Sequence, residues 1–128
     1  MKQISKFTLL FFAALFALNL GLSSCESKED SILRVFVRDE NNDLLPKAKV
    51  IIIGDTKSNP ATLDYVDTLF TNDQGVAEFN MEAFYTAGGK EMTSGYFDIL
   101  VKYLNKQATG YVRVKEHIVS VQTVRFEP

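Results

Sequence analysis

The 128-residue sequence has one cysteine, Cys25, so no internal disulfide can form and the fold must hold by packing alone. It has no tryptophan and a single histidine, His117. Zinc centres draw on clusters of Cys and His, and no such cluster exists here. A hydrolase using a histidine base would depend on His117, with Glu116 beside it and a serine such as Ser120 nearby; no Gly-x-Ser-x-Gly nucleophile elbow accompanies them. On a strand, Glu116 and His117 would point to opposite faces, so a plain turn or strand-end histidine is the expected role. An excess of positive charge is missing too. Fourteen Lys and Arg against 16 Asp and Glu give a formal charge of −2, which argues against a nucleic-acid partner. Internal repeats and low-complexity segments are absent.

What is present begins with a leader. Lys2 and Lys6, with no acid, precede an almost purely apolar run from Phe7 to Leu20, the order of the first two regions of a secretory signal. A permanent transmembrane helix is the alternative, but a span needs about 20 apolar residues. Asn19, Ser23, Ser24 and Glu26 interrupt this one. Removing residues 1–24 takes away Lys2 and Lys6 and no acid, moving the charge from −2 to −4 and leaving one domain's worth of chain.

Leu22, Ser23, Ser24 and Cys25 resemble the lipobox of bacterial lipoproteins. The resemblance implies recognition of Leu22–Ser24 by signal peptidase II, cleavage before Cys25, and acylation of the Cys25 thiol and new amino terminus. Several acyl chains exceed the threshold for stable anchoring, since each buried methylene contributes about 0.8 kcal/mol. An ordinary buried thiol is the alternative, and the polar residues on both sides of Cys25 speak against it. Lys28, Glu29 and Asp30 resemble the export signal of Bacteroidota-type surface lipoproteins, which implies an outer-membrane protein on the cell surface rather than the periplasmic face. The plain alternative is a solvated tether. The inner-membrane retention pattern, an aspartate directly behind the cysteine, is not met, because Glu26 holds that place.

From Ser31 onward the sequence alternates in short runs separated by turn residues, which predicts an all-β fold. Strands are expected over Leu33–Arg38, Ala48–Ile53, Tyr65–Thr71, Val76–Met81, Tyr96–Leu104, Gly110–Lys115 and Ile118–Phe126. The density of β-branched residues in Ala48–Ile53 predicts a central strand buried on both faces near its end. Asp39–Asp43 and Asn72–Gly75 read as turns, with Gly75 free to take positive φ. The first group also offers oxygen ligands for Ca²⁺, but without EF-hand spacing. Glu82–Gly95 shows no strand period; Glu82–Tyr85 suits a helical turn and Gly88-Gly89 breaks it. The expected architecture is a seven-stranded sandwich of two antiparallel sheets over residues 32–128, behind a signal helix (1–24) and a charged tether (25–31).

The order Val35-x-Val37-x-Asp39, Leu45-Pro46-x-Ala48-x-Val50, Phe70-Thr71-Asn72-Asp73-x-Gly75-x-Ala77-x-Phe79 and Tyr96-Phe97-Asp98-Ile99 resembles the carboxypeptidase-regulatory and transthyretin-like β-sandwiches of bacterial surface proteins. That resemblance implies a prealbumin-like or Ig-like fold and a binding or scaffolding role without catalysis or cofactor. The transthyretin-like fold also hosts 5-hydroxyisourate hydrolase, whose site needs several histidines and a Tyr-Arg-Gly-Ser tail. This chain ends Val124-Arg125-Phe126-Glu127-Pro128, so that activity is not expected.

Phe84, Tyr85, Lys90 and Tyr96 are the candidate ligand contacts, for a glycan or a surface protein, because loops on a rigid sandwich commonly carry binding. The alternative is that these rings cap the open end of the core. Asp30-Ser31-Ile32 and Asp67-Thr68-Leu69 resemble the Asp-Ser/Thr-aliphatic O-glycosylation sites of Bacteroidota-type exported proteins, with Ser31, in the tether, expected to be the more accessible.

Overall fold

The computed structural model describes residues 28–128. The expected leader and signal helix, Leu22–Ser24 and Cys25 lie outside the described residues. Among the described residues seven strands form, β1 (Ile32–Arg38), β2 (Lys49–Gly54), β3 (Val66–Phe70), β4 (Val76–Asn80), β5 (Ser94–Tyr103), β6 (Lys106–Lys115) and β7 (Val119–Arg125), with a helix, α1 (Glu82–Gly88), between β4 and β5. They make a sandwich of a three-stranded sheet, ordered β4-β1-β7, and a four-stranded sheet, ordered β3-β2-β5-β6.

The core follows the period of two. Leu33, Val35 and Val37 of β1 are fully buried, as are Val50 and Ile52 of β2, Phe79 of β4, and Phe97 and Val101 of β5. Each such side chain contributes about 1.5–3 kcal/mol by leaving water. β2 is central, between β3 and β5. Its alternate residues Ile51 and Ile53 stay half-buried on the outer face, so the expectation of burial on both faces does not hold. No further layer covers that face among the described residues.

The three-stranded sheet corrects the expectation of antiparallel pairing throughout. β1 pairs antiparallel with β4 but parallel with β7, in the register Ile32↔Val119 to Arg38↔Arg125. After β6 the chain crosses to the other sheet instead of folding back beside β6. It thus enters β7 from the end where β1 starts and runs the same way. The β5–β6 hairpin is also longer than its sequence pattern indicates. Its turn is Leu104-Asn105, and Lys106–Thr109 already pairs with β5. Those residues are mostly polar and exposed along a sheet edge, so they carry no hydrophobic alternation.

Two turns and one threonine connect the layers. Asp39 Oδ1 accepts the N–H groups of Asn41 and Asp43, and Asn42 takes φ 69°. Asn72 Oδ1 accepts those of Gln74 and Val76. Gly75, at φ 73°, lies so close to Leu44 that a Cβ there would sit 2.9 Å from the Leu44 Cβ. Thr71 is buried; its Oγ1 accepts the Ala48 N–H at 2.9 Å and donates to the Leu45 carbonyl at 2.7 Å.

Candidate functional site

The segment between β4 and β5 folds as a lid on the core. Asn80 Oδ1 accepts the Glu82 N–H to start α1, and Gly89, at φ 80°, ends it. α1 turns Phe84 and Tyr85 inward, 0% and 4% exposed. Phe84 meets Phe97 edge-on with ring centroids 5.0 Å apart, and Tyr65 edge-on at 5.4 Å. Gly95 makes room for this packing, since a Cβ there would lie 2.8 Å from the Phe84 ring. The Tyr85 hydroxyl donates to the Val114 carbonyl at 3.0 Å. Burial, and secondarily the Glu116 charge, push the Tyr85 phenol well above its ordinary range. Phe84 is therefore a core residue that caps this end of the sandwich, as the alternative reading has it, while Tyr85, though 4% exposed, lines with Lys90, Glu82 and Glu116 a cleft of about 220 Å³. Lys90 is exposed beyond the helix, and Tyr96 stands on the outer face of the four-stranded sheet. Of the four candidates, Tyr85 and Lys90 share a cleft, and Phe84 and Tyr96 do not join them.

Tyr96 has other partners. It stacks on Tyr111 of β6, with centroids 6.1 Å apart and planes 24° apart, and the Arg113 guanidinium lies 5.7 Å from its ring centre. Tyr111 donates to Asp55 Oδ2 at 2.8 Å, and that hydrogen bond raises its pKa to about 12. Register continues this face as rows across the four strands: Val66, Ile53, Asp98, Tyr111, then Thr68, Ile51, Leu100, Thr109, then Phe70, Lys49, Lys102, Gln107. Its middle is aliphatic and half-exposed. At its edge Val66 and Phe70 are 61% and 64% exposed. The sequence does not mark Tyr111, Arg113 and Val66, and marks Phe70 only as part of a turn motif, because only register shows that they share a face with Tyr96.

The junction with the tether is tightly bonded. The Ser31 N–H donates to Glu82 Oε1 at 2.9 Å, its carbonyl accepts the Met81 N–H at 2.8 Å, and its Oγ accepts the His117 N–H at 2.8 Å. Ser31 is 0% exposed, so it is the less accessible of the two candidate O-glycosylation serine/threonine residues and not the more; Thr68 is exposed on β3. Further out, the His117 Nδ1 lies 3.3 Å from the Glu29 carbonyl. Lys28, Glu29 and Asp30 are exposed just ahead of Ser31. His117 occupies the β6–β7 turn at φ 62°, where its Nε2 lies 3.2 Å from Glu116 Oε1. The hydroxyl bound to His117 is Ser31 Oγ, and it meets the backbone N–H rather than the imidazole. This arrangement supplies no base–nucleophile contact. Among the described residues, no three His, Cys, Asp or Glu side chains gather to hold a metal.

At the opposite end a cleft of about 600 Å³ lies between β6 and the C-terminal residues. Its cations are engaged within the fold, Lys106 with the Glu40 carboxylate and Arg125 with the Glu40 carbonyl.

No family model and no curated protein sequence matches the chain. Among solved structures, it is similar to the TIE protein of Bacillus anthracis, with 14% identity and a TM-score of 0.50 over 77% of this chain. The chlorocatechol 1,2-dioxygenase of Pseudomonas putida follows with 12% identity and a TM-score of 0.48 over 81% of this chain, and the 3-chlorocatechol 1,2-dioxygenase of Rhodococcus opacus with 11% and 0.49 over 80%. The chain spans 16% of the first of these proteins and 62% and 61% of the other two. At 14% identity the likeness to the first of these speaks to fold alone.

Proposed function

We propose that the chain is a lipid-anchored lipoprotein of the cell envelope, held in the outer membrane and facing the cell surface, whose β-sandwich binds or scaffolds without catalysis. The observation that carries this reading is the leader: an apolar run, then Leu22-Ser23-Ser24-Cys25, then Lys28-Glu29-Asp30. Two features of the domain support it. The charged residues 28–30 are exposed directly before the bonded junction at Ser31, the arrangement a tether needs. His117 meets a carboxylate but no nucleophile, which favours a binding module over a hydrolase. The transthyretin-like or carboxypeptidase-regulatory affinity belongs to the same proposal. Metabolic labelling with an alkyne fatty acid tests it: the parent chain takes the label, and Cys25→Ala loses both label and membrane fraction. Retention of both in Cys25→Ala would overturn the reading.

A second reading, an accessory subunit of a surface nutrient-uptake or adhesin assembly, is favoured by the exposed apolar edge strand β3. Stoichiometric co-purification with one envelope protein would support it over a glycan-binding module.

A further inference from the structure

His117 sits where the tether meets the domain, and both of its ring nitrogens face oxygen. Its Nδ1 lies 3.3 Å from the Glu29 carbonyl and its Nε2 3.2 Å from Glu116 Oε1. The ring's place is set by backbone: His117 takes φ 62° in the β6–β7 turn, and its N–H donates to Ser31 Oγ at 2.8 Å. A carbonyl only accepts, and so does an ionised carboxylate. An imidazolium, with an N–H on both nitrogens, donates to the two oxygens at once. A neutral imidazole has a single N–H, so one of the oxygens must face a lone pair. The carboxylate is the stronger acceptor, because a hydrogen bond to an ionised group is roughly twice as strong as one between neutral groups. The neutral ring therefore keeps its proton on Nε2, toward Glu116, and Nδ1 no longer donates to Glu29.

We propose that His117 is a pH-operated clasp on the tether: protonated it holds Glu29 against the domain, and neutral it gives its one N–H to Glu116 and lets residues 28–30 swing free. The clasp is thus closed at low pH and opens as pH rises through the range in which imidazole loses its proton. The other charged groups at this junction are Lys28, Glu29 and Asp30 of the tether and Lys115 and Glu116 ahead of the turn. To these α1 adds Glu82, which accepts the Ser31 N–H, and the cleft of Glu82 and Glu116 adds Lys90. Side chains of these types ordinarily keep one charge between about pH 5.5 and 8, whereas imidazole changes its own. Ser31 stays bonded to Glu82, Met81 and the His117 N–H in both states, so only the chain ahead of it is released. The clasp concerns the domain's hold on its tether and stands whether or not Cys25 is acylated. In an anchored chain, opening moves the last fixed residue from Glu29 to Ser31 and so adds about 7 Å of reach to the free tether.

The test is carbon-detected NMR of the full, isotope-labelled chain in detergent micelles, which needs no amide proton at the upper pH. The Glu29 carbonyl carbon reads the hydrogen bond directly. From about pH 5.5 to 8 it is expected to move upfield, with the same midpoint as the His117 ring carbons, while the carbons of residues 28–30 gain mobility. His117→Asn tolerates the positive φ and removes the titrating ring, so Glu29 keeps one position at both pH values. Glu116→Ala leaves the Glu29 carbonyl as the one oxygen of the pair, so the contact persists at the upper pH and the response at Glu29 is lost. Unchanged β1 signals show that both variants keep the fold. A Glu29 carbonyl and a tether indifferent to pH in the parent chain, the parent's pH response in His117→Asn, or release at the upper pH in Glu116→Ala would overturn the proposal.

Discussion

The carboxylate of Asp67 accepts the backbone N–H of Thr68 at 2.8 Å, and so occupies the one outward-facing donor at the middle of β3. The contact is the edge's only guard among the described residues, and pairing along β3 must compete with it. Asp67→Ala removes the acceptor and is expected to lower stability by up to about 1 kcal/mol, the net contribution of one hydrogen bond. Asp67→Asn keeps an oxygen acceptor and stays near the parent. Urea unfolding, compared across the three chains, checks this.

Thr71 closes the loop before β2 through one hydroxyl that both accepts and donates. Thr71→Val keeps the shape and leaves the Ala48 N–H and Leu45 carbonyl without that partner in a buried site. A loss of about 2–3 kcal/mol is expected, within the range for stranded buried polar groups. Urea unfolding measures it; a change below about 0.5 kcal/mol would contradict the assignment.

Lys49 and Lys102 face each other across β2 and β5. Like charges directly opposite on a sheet are unfavourable, and opposite charges contribute roughly 0.2–1 kcal/mol. Lys102→Glu is therefore expected to raise stability by up to about 1 kcal/mol at low salt, with the gain shrinking in high salt. Thermal unfolding at two ionic strengths reads both effects.

Tyr85 gives the fold an alkaline limit. Its pKa in the folded chain lies above the ordinary 10.0, first because the ring is buried and then because Glu116 is near. A raised folded pKa means that the contribution is intact below the unfolded value and is lost as pH rises beyond it. Stability should hold up to about pH 10 and then fall. Tyr85→Phe loses about 1 kcal/mol at neutral pH with the Val114 hydrogen bond, and declines less steeply above pH 10.

Much of the fold is legible because a half-buried strand writes its register into alternate residues. Leu33, Val35 and Val37, or Phe97, Ile99 and Val101, announce themselves in this way, whereas the Lys106–Thr109 half of β6, polar and exposed, does not. Pairing is another matter. Whether β7 runs parallel or antiparallel to β1 depends on a crossing between sheets at Glu116–Ile118, and no local pattern encodes it. Phe84 and Tyr85 looked like display residues because a seven-residue helix is too short to show which face is apolar. Ser31 looked like tether because its partners, Glu82 and His117, lie 51 and 86 residues away. The outer-face cluster of Tyr96 and Tyr111 was hidden likewise: only the β5–β6 register brings the rings together.

The central claim is anchoring through Cys25, and mass spectrometry of the mature amino terminus tests it most directly. The account predicts a chain that lacks residues 1–24 and begins at a Cys25 carrying acyl chains, followed by Glu26 and the exposed Lys28-Glu29-Asp30. A mature chain that retains the first 24 residues, or carries an unmodified Cys25 thiol, would contradict it.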